Sequence, residues 1–364
     1  MSPGKRILVT GVSTYWGGRL AQALERHPSV DVIVGVDSND PTQEFQRTEF
    51  VRVSNQHALL RRIVQAAEID TVVDSRLAVD SAAAGSSRAA HENNVMGTLN
   101  ILAACAGPDS PVRRLIFKSS AHYYGCARDD PGFFTEDMKR THPPLTDLKR
   151  DIVDAEGAVA DFAEKNDATV TVMRFCNVLG PDLSTSHARL LALPAVPMIA
   201  GFDPRYQFVH ADDVVSALEF AVENELDGIY NVAADGVLAL SEVIDLLGKR
   251  ALPVLPPFAT GAAAAALRRS GVYVTREMLG QMRYGRGLDN RKLKAAGYRY
   301  GHTTREAVQK FGEHLRLRTV LQGSGEPYRY EKEVEDFLRW SPSVRHRKPG
   351  SEQVPLPRSR AGVP

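Results

Sequence analysis

The chain has 364 residues, of which 43% are hydrophobic and 24% charged, a composition typical of a globular protein with room for a core and a second subdomain. Its 45 Lys and Arg residues nearly balance 44 Asp and Glu residues, and the net charge of +1 argues against a nucleic-acid partner. No apolar run reaches the roughly 18 residues that cross a bilayer, and Cys105, Cys126 and Cys176 are scattered without metal-ligand spacing. The N-terminal residues show no apolar signal segment, so we expect a cytoplasmic protein with no membrane partner and no metal site.

The first 180 residues alternate between short β-branched runs and longer helical patterns. We predict strands at Lys5–Thr10, Val30–Val36, Thr71–Val73, Arg114–Lys118 and Thr169–Arg174. The predicted helices between them run through Leu24 in the first case and span Ala58–Glu68, Asn93–Cys105 and Asp151–Lys165 in the others. This order, with continuously apolar strands, predicts an α/β fold with a Rossmann-type doubly wound parallel sheet and a smaller C-terminal substrate lobe.

The pattern becomes less regular after residue 180. We expect residues 1–180 to form the Rossmann core and residues 181–315 to form a mixed region, in which 205–234 return to the core and the rest makes the substrate lobe. Gly125–Thr146 is long for a connection inside a domain and is interpreted as a functional or mobile loop. Residues 316–364 form a C-terminal extension, whose last roughly 20 residues are rich in Pro and Arg and are expected to be disordered.

The turn between the first strand and the first helix, Thr10–Gly18, has the position at which a doubly wound fold binds the pyrophosphate of a dinucleotide. Gly11 and Gly17 permit a tight turn, whereas Thr14 stands where a middle glycine is expected. Asp37 ends the second strand, where a carboxylate accepts both ribose hydroxyls and repels a 2′-phosphate. The sequence therefore predicts NAD in preference to NADP. The residues expected to bind it here are Gly11, Thr14, Tyr15, Trp16, Gly17 and Asp37.

Six short motifs follow one another along the chain. They are TGVSTYWGGRL (10–20), NVMGT (94–98), RLIFKSSAHYYG (114–125), RFCNVLGP (174–181), QFVHADDV (207–214) and YNV (230–232). With these motifs the chain resembles the extended (atypical) short-chain dehydrogenase/reductase family, and within it the NAD-dependent epimerase/dehydratase branch. The resemblance runs from about residue 5 to 236 and more weakly to about 315. It implies an NAD-binding Rossmann fold and a small-molecule substrate such as a nucleotide sugar.

The resemblance implies further binding residues. Those carried over to the cofactor site are Ser54, Asn55, Leu77 and Asn94. Asn177, within RFCNVLGP, matches the family residue that hydrogen-bonds a sugar-nucleotide phosphate, and a loop-capping role is the alternative. Arg205 stands one position before the family's substrate-binding arginine, so its side chain is expected to turn to the other face of an extended segment.

The family's YxxxK motif is missing from the chain. When the family's late glutamate is placed on Glu156, the tyrosine and lysine positions fall on Leu148 and Ile152. In a frame shifted by three residues they fall on Leu145 and Lys149, which restores only the lysine. Neither frame supplies a tyrosine that can accept the proton of a substrate hydroxyl.

Four other residues near the expected site are candidates for proton transfer or for orienting the substrate. Ser120 matches the family serine that orients the substrate hydroxyl, and His122 lies close to the same strand end. Tyr124 and Lys149 are the other two, with core packing and a solvated helix start as the alternatives.

Two functions follow from these residues. One is an NAD-dependent oxidoreductase or epimerase with non-standard acid/base residues, acting on a nucleotide sugar or another small hydroxyl compound. The other is a catalytically degenerate dinucleotide-binding sensor, scaffold or regulatory protein.

The resemblance also implies a homodimer. Family members commonly pair through two helices on one sheet face, which here correspond to about Arg88–Cys105 and Asp151–Lys165. In the second helix, apolar residues at helical spacing form one stripe: Ile152, Ala155, Val159 and Phe162. Part of this stripe must face the protein's own sheet, and only the remainder is available to a partner.

Overall fold

Parallel strands form the central sheet that the sequence predicts. The strands are β1 (Lys5–Thr10), β2 (Val30–Asp37), β3 (Glu49–Arg52), β4 (Thr71–Asp74), β5 (Arg114–Ser120), β6 (Phe133–Phe134), β7 (Thr169–Phe175), β8 (Asn177–Leu179), β9 (Ala195–Ile199), β10 (Arg205–Tyr206), β11 (Phe208–His210), β12 (Gly228–Val232), β13 (Leu238–Ala239), β14 (Arg250–Val254) and β15 (Gly287–Leu288). Seven of them pair in the order β12-β7-β5-β4-β1-β2-β3, and every pair is parallel. The order reverses between β1 and β4, which opens a crevice at the carboxyl ends of these strands. The prediction of a Rossmann-type doubly wound sheet is confirmed.

Helices cover both faces of the sheet. They are α1 (Tyr15–Leu24), α2 (His57–Ala66), α3 (Ser87–His91), α4 (Gly97–Cys105), α5 (Asp147–Lys165), α6 (Ser186–Ala192), α7 (Ala211–Glu223), α8 (Leu240–Leu246), α9 (Arg276–Tyr284), α10 (Arg291–Ala295) and α11 (Thr304–Gly323). Helices α1 and α7 pack on one face, and α2, α4 and α5 pack on the other. A computed structural model describes residues 4–53, 56–80, 86–181, 183, 185–255, 264–265, 267, 269 and 274–323.

Successive residues of each central strand enter different cores, because side chains alternate across a pleated sheet. In β5, Ile116 packs with α1 and α7, whereas Leu115 and Phe117 pack with α2, α4 and α5. Burial on both faces explains why the strands read as continuous apolar runs. The same alternation directs Lys118, two residues after Ile116, toward the face of α1 and α7.

Smaller strand pairs lie outside the seven-stranded sheet. Strands β8 and β11 are parallel, β9 pairs with β14 in parallel, and β10 pairs with β13 in antiparallel orientation. Strand β6, within the segment predicted to be a long loop, pairs with β15. Helix α7 and strand β12 pack on the central sheet itself. These pairs bring residues from the second half of the chain to the carboxyl edge of the sheet.

The boundaries of several elements differ from the predicted ones. Helix α5 begins at Asp147, four residues before the predicted Asp151, and an acidic residue in the first turn suits the helix dipole there. The segment predicted as one helix over Asn93–Cys105 begins within a π-helical turn, Glu92–Met96, which lies between α3 and α4. Strand β3 is short and half-exposed at the sheet edge, and the sequence did not predict it.

Two compact units divide the chain, residues 1–312 and residues 313–364. Residues 313–323, the described part of the second unit, are helical. The predicted disordered tail lies outside the described residues. Across the described ranges, no helix combines the length and apolarity that crossing a membrane requires.

The apolar stripe of α5 belongs to the protein's own core. Ile152, Ala155, Val159 and Phe162 are all buried against the sheet with residues of α2 and α4. This stripe therefore offers no surface to a second copy of the chain.

A buried ion pair connects α5 to the sheet. Arg174, in β7, donates from Nη2 to Oε2 of Glu156 at 2.6 Å and from Nε to the same oxygen at 3.0 Å. Ser119 of β5 donates to the other carboxylate oxygen of Glu156. The Arg174 guanidinium also lies 3.6 Å from the ring centroid of Tyr123. Because Arg174, Glu156 and Ser119 are all buried, the pair fixes the rotation of α5 about its axis.

We expect Arg174→Met to lower the free energy of unfolding by about 3–5 kcal/mol, since it leaves the Glu156 carboxylate buried without its cation. Urea denaturation measures this loss. The matched control is Arg150→Met. Arg150 is an exposed arginine of α5 that pairs with Asp147 of the same helix at 3.0 Å. Its loss should lower the free energy of unfolding by less than about 1 kcal/mol. Equal losses in the two variants would contradict this role of the pair.

Candidate functional site

The first turn keeps two of its expected glycines and uses Thr14 as a helix cap. Thr14 accepts a hydrogen bond from the Gly17 amide and donates to the Gly11 carbonyl oxygen at 2.6 Å. Gly11 has a φ of +80°, and a Cβ on Gly17 would lie 2.2 Å from the Gly11 carbonyl oxygen. The turn therefore requires both glycines, and Thr14 fits it because its side chain is hydrogen-bonded within the turn.

A cavity of about 520 Å³, here called the main cavity, follows the carboxyl edge of the sheet. It starts at Asp37, passes the first turn and ends near His187 and Arg286. The residues predicted from the sequence that line it are Thr14, Tyr15, Trp16, Asp37, Leu77, Ser120, His122 and Asn177. The amide of Asn177 donates to the carbonyl oxygen of Gln207 at 3.4 Å.

Asp37 is held at one end of the main cavity. Its Oδ2 accepts hydrogen bonds from the amide and hydroxyl of Ser13, at 3.0 and 2.5 Å, and its Oδ1 accepts from the amide of Ser38 at 2.7 Å. These contacts fix a carboxylate at the end of β2, where the sequence predicts a partner for ribose hydroxyls.

Asn94 lies behind the cavity lining. It is fully buried, and both ends of its amide are satisfied by the backbone of Ala78, each at 2.8 Å. It therefore positions the segment of Leu77 and Ala78, and its prediction as a direct cofactor ligand is corrected. Ser54 and Asn55, also predicted for the cofactor site, lie outside the described residues.

Tyr124 is a core residue. It is completely buried, it donates from its hydroxyl to Oδ1 of Asn231 at 2.8 Å, and it stacks on Phe134 with ring centroids 4.7 Å apart. Since it lines neither of the cavities described here, its candidacy as an acid/base group is corrected.

Arg205 is exposed, whereas the next residue on β10, Tyr206, is buried, because neighbouring residues of a strand point to opposite sides. Arg205 does not line the main cavity, so its prediction as a substrate ligand is corrected. The structure supplies a different cation there. Arg286, which sequence reasoning missed, is buried and donates to the carbonyl oxygen of Gly125 at 3.2 Å. It lies in an irregular segment, and no motif distinguishes it.

Lys149 is buried and not solvated. Its side chain is 5% exposed, and its Nζ donates to the carbonyl oxygen of Val79 at 2.7 Å. Desolvation lowers the pKa of this amine to about 7, so a large fraction of it is neutral near neutral pH. Lys149 and Leu148 both line a second cavity of about 260 Å³. Leu148, the tyrosine position in the first of the two frames, thus faces this cavity, whereas Ile152, the lysine position in that frame, is packed in the core.

His122 lies where the two cavities meet, because it lines both of them. Its Nδ1 is 3.2 Å from Nη2 of Arg286, a permanent donor, which leaves the ring proton on Nε2. Burial first, and then the positive charges of Lys149 and Arg286, hold the pKa of His122 well below its usual range. Ser120 accepts from the His122 amide at 3.3 Å. The site therefore combines a neutral imidazole, a hydroxyl and a titratable amine.

The three carboxylates that line the second cavity each have a partner other than Lys149. Asp147 pairs with Arg150 at 3.0 Å. Glu277 forms an ion pair with Arg140 at 3.0 Å. Asp80 accepts from the amide and hydroxyl of Ser186 at 2.6 and 2.7 Å. Across the described residues, Lys149 makes no ion pair with a carboxylate, and its amine faces this cavity together with His122 and His187.

A second buried lysine, Lys118, lines the main cavity and was also missed. It is 3% exposed, and its Nζ lies 5.1 Å from the ring centroid of Trp16 and 5.7 Å from that of Phe175. Desolvation lowers its pKa to about 8. Strand alternation alone could have found it, since Lys118 and Ser120 share one face of β5.

Comparison with known proteins identifies related sequences. The family profile described as "NAD dependent epimerase/dehydratase family" matches residues 7–233. An uncharacterized protein of Mycobacterium tuberculosis (strain H37Rv) and another of Mycobacterium bovis are each 36% identical to this chain over 315 residues, which cover 84% of this chain and 83% of each relative.

Solved structures share the fold. MoeE5 in complex with UDP-glucuronic acid and NAD is 22% identical, with a TM-score of 0.64 over 86% of this chain and 99% of that one. A dTDP-glucose 4,6-dehydratase from Bacillus anthracis in complex with NAD is 18% identical, with a TM-score of 0.64 over 86% and 97%. UDP-glucose 4-epimerase from Thermotoga maritima is 18% identical, with a TM-score of 0.65 over 86% and 99%.

The burial of Lys149 predicts a pH-dependent stability. An unfolded lysine keeps its proton up to about pH 10.5, whereas folded Lys149 loses it near pH 7. Between these values the unfolded chain binds more protons, so the stability rises with pH. From pH 7 to 9 we expect the parent to gain about 2 kcal/mol relative to Lys149→Met, measured by urea denaturation.

The control for this measurement is Lys165→Met, which removes a lysine from the same helix at a position 71% exposed. Its stability should follow the parent at every pH. If Lys149→Met also follows the parent from pH 7 to 9, the buried amine does not titrate in this range.

Proposed function

Because this chain belongs to the NAD dependent epimerase/dehydratase family, we propose that it binds NAD(H) in the main cavity and acts on a hydroxyl group of a small substrate. The substrate class is a nucleotide sugar or another small hydroxyl compound. The observation that carries the proposal is the buried amine of Lys149, which faces the cavity where the family's tyrosine is replaced by Leu148.

The residues of the main cavity fit a dinucleotide. The tight turn at Gly11 and Gly17 begins a ten-residue helix, whose free amides and dipole favour a pyrophosphate. The Thr14 hydroxyl accepts a hydrogen bond from one of those amides, that of Gly17, yet it leaves the backbone turn intact. The Asp37 carboxylate suits two ribose hydroxyls and repels a 2′-phosphate, which supports NAD over NADP.

The second cavity fits the handling of a proton. Oxidation of a hydroxyl group releases a hydride, for which NAD⁺ is the acceptor when bound, and a proton, which needs a base. The neutral amine of Lys149 is that base in this proposal. Ser120 orients the hydroxyl, and the Nε2–H of His122 donates a hydrogen bond to its oxygen.

The far end of the main cavity supports a substrate with an anionic part. Arg286 is a buried guanidinium, and Asn177 adds an amide to the lining of the same cavity. A guanidinium group can donate two parallel hydrogen bonds to the oxygens of a phosphate, which suits a diphosphate. MoeE5, a structural neighbour, is described with UDP-glucuronic acid and with UDP-glucose, and a nucleotide sugar is the substrate class we favour here.

A second candidate function is NAD(H) binding without turnover, in a sensor, scaffold or regulatory protein. The observation in its favour is that, among the residues the structure describes, no tyrosine hydroxyl is placed for proton transfer at the second cavity. Leu148 occupies the family position, and the hydroxyl of Tyr124 is bonded to Asn231 in the core. An enzyme of this kind depends entirely on Lys149 for its base.

We propose a cytoplasmic location and a homodimer as part of this function. The three cysteines are unpaired, which suits a reducing compartment that also holds NAD(H). For the dimer, the helical segment near α4 leaves two large apolar side chains exposed, Met96 at 47% and Leu99 at 44%. They support a contact through this segment, because the stripe of α5 is internal.

The cofactor preference is tested by calorimetric titration with NADH and NADPH. We expect the parent to bind NADH at least about tenfold tighter, and Asp37→Ala to abolish the difference, because the carboxylate that repels the 2′-phosphate is gone. Asp40→Ala is the control, since Asp40 is an exposed carboxylate nearby that pairs with Arg52. Equal affinities of the parent for NADH and NADPH would refute the role of Asp37.

Activity is tested by screening nucleotide sugars and small alcohols for NADH absorbance and for epimerised products. For UDP-glucose and UDP-galactose we expect rates at least about 100-fold below an ordinary epimerase, because a positioned tyrosine is absent. For the compound that is turned over, Lys149→Met should lower kcat by about 10²–10⁴-fold while the Kd for NADH stays unchanged.

The control in this screen is again Lys165→Met, which should match the parent in kcat. Turnover that survives Lys149→Met would contradict the assignment of the base, and brisk epimerisation of UDP-galactose would contradict the account of Leu148. Tight NADH binding with no turnover of any compound favours the second candidate.

A further inference from the structure

Lys118 is a buried cation without a hydrogen-bond acceptor in the part of the chain that the structure describes. Its side chain leaves β5 on the face of α1 and reaches the main cavity between the rings of Trp16 and Phe175. Burying an ammonium group is costly unless a partner offsets the lost hydration. The aromatic faces offset part of that cost, because a cation is attracted to the π system of a ring.

The nearby carboxylate does not serve as this partner. Asp74, at the end of β4, accepts from the Thr10 hydroxyl at 2.8 Å and pairs with Arg76 at 3.1 Å. The charge of Lys118 is therefore directed at whatever occupies the main cavity.

The topology indicates which part of a dinucleotide comes near this charge. A dinucleotide crosses the crevice between the two halves of a doubly wound sheet, with one mononucleotide over each half. Asp37 ends β2 and assigns the half of β1, β2 and β3 to the adenosine ribose. Lys118 lies in the other half, at the carboxyl end of β5, which is left for the nicotinamide mononucleotide.

We propose that Lys118 makes the site select the reduced cofactor, by placing a positive charge beside the nicotinamide ring. The pyridinium ring of NAD⁺ carries a positive charge and is repelled, whereas the dihydronicotinamide ring of NADH is uncharged and is not. The pyrophosphate is the same in both forms, so it contributes nothing to the difference. This inference rests on the proposed binding of NAD(H) in the main cavity.

The experiment measures the Kd values of NAD⁺, NADH and ADP-ribose at pH 7 by calorimetry, for the parent and for two variants. Lys118→Met keeps an unbranched side chain that is one atom shorter, and Lys118→Gln is a second neutral variant in case the first folds poorly; circular dichroism and Tm verify the fold of both. We expect the parent to prefer NADH over NAD⁺ at least about tenfold, and both variants to lower that ratio at least about tenfold, which is about 1.4 kcal/mol. ADP-ribose, which lacks the ring, should bind the parent and the variants alike.

Three outcomes would overturn the inference. A parent that binds NAD⁺ as tightly as NADH lacks the selection. A ratio unchanged in a folded variant shows that Lys118 does not sense the ring. An equal loss for NAD⁺, NADH and ADP-ribose assigns Lys118 to the pyrophosphate instead. In these cases the cofactor site itself stands, whereas a parent that binds none of the three ligands overturns both the site and the inference. Lys165→Met is the control and should leave all three Kd values unchanged.

Discussion

The buried ion pair between Arg174 and Glu156 is the constraint on which the rest of the site depends. It joins β7 to α5, and Ser119 of β5 completes it, so one carboxylate ties two neighbouring strands to one helix. A charged pair in a core is stable only when both partners are held in place. The pair therefore fixes the rotation of α5 about its axis. Residues one and two turns before Glu156 then have determined directions. Ile152 points into the core, and Lys149 points at the carboxyl edge of the sheet.

This rotation explains how the site departs from its family. When the family's glutamate is placed on Glu156, Leu148 falls at the tyrosine position, and in our proposal the neighbouring lysine supplies the polar group. The Lys149 amine reaches the Val79 carbonyl oxygen and loses most of its water, which turns an ordinary cation into a base near neutral pH. The proposed chemistry therefore follows from packing. The Arg174–Glu156 pair sets the rotation of α5, and that rotation places the Lys149 amine at the second cavity.

The sequence was sufficient for the features that repeat or that obey local rules. Strands β1, β2, β4, β5 and β7 of the sheet could be predicted because their apolar runs are continuous, and the first turn because its glycines are sterically required. The burial of Lys149 could not, because the start of α5 lacks apolar periodicity and the contact with Val79 joins residues 70 positions apart. Arg286 was missed because only the tertiary fold places it in the main cavity. Lys118 was missed although strand alternation puts it on the same face of β5 as Ser120. Tyr124 shows the opposite error: a motif suggested chemistry where the hydroxyl serves the core.

A crystal structure of the protein with NADH bound tests the central claim most directly, because it shows what stands where the family's tyrosine would be. The account predicts the dinucleotide in the main cavity, with its adenosine ribose on Asp37 and its nicotinamide ring open toward Ser120, His122 and the amine of Lys149. A cofactor bound elsewhere, or a Leu148 side chain that separates the ring from Lys149, would contradict the account.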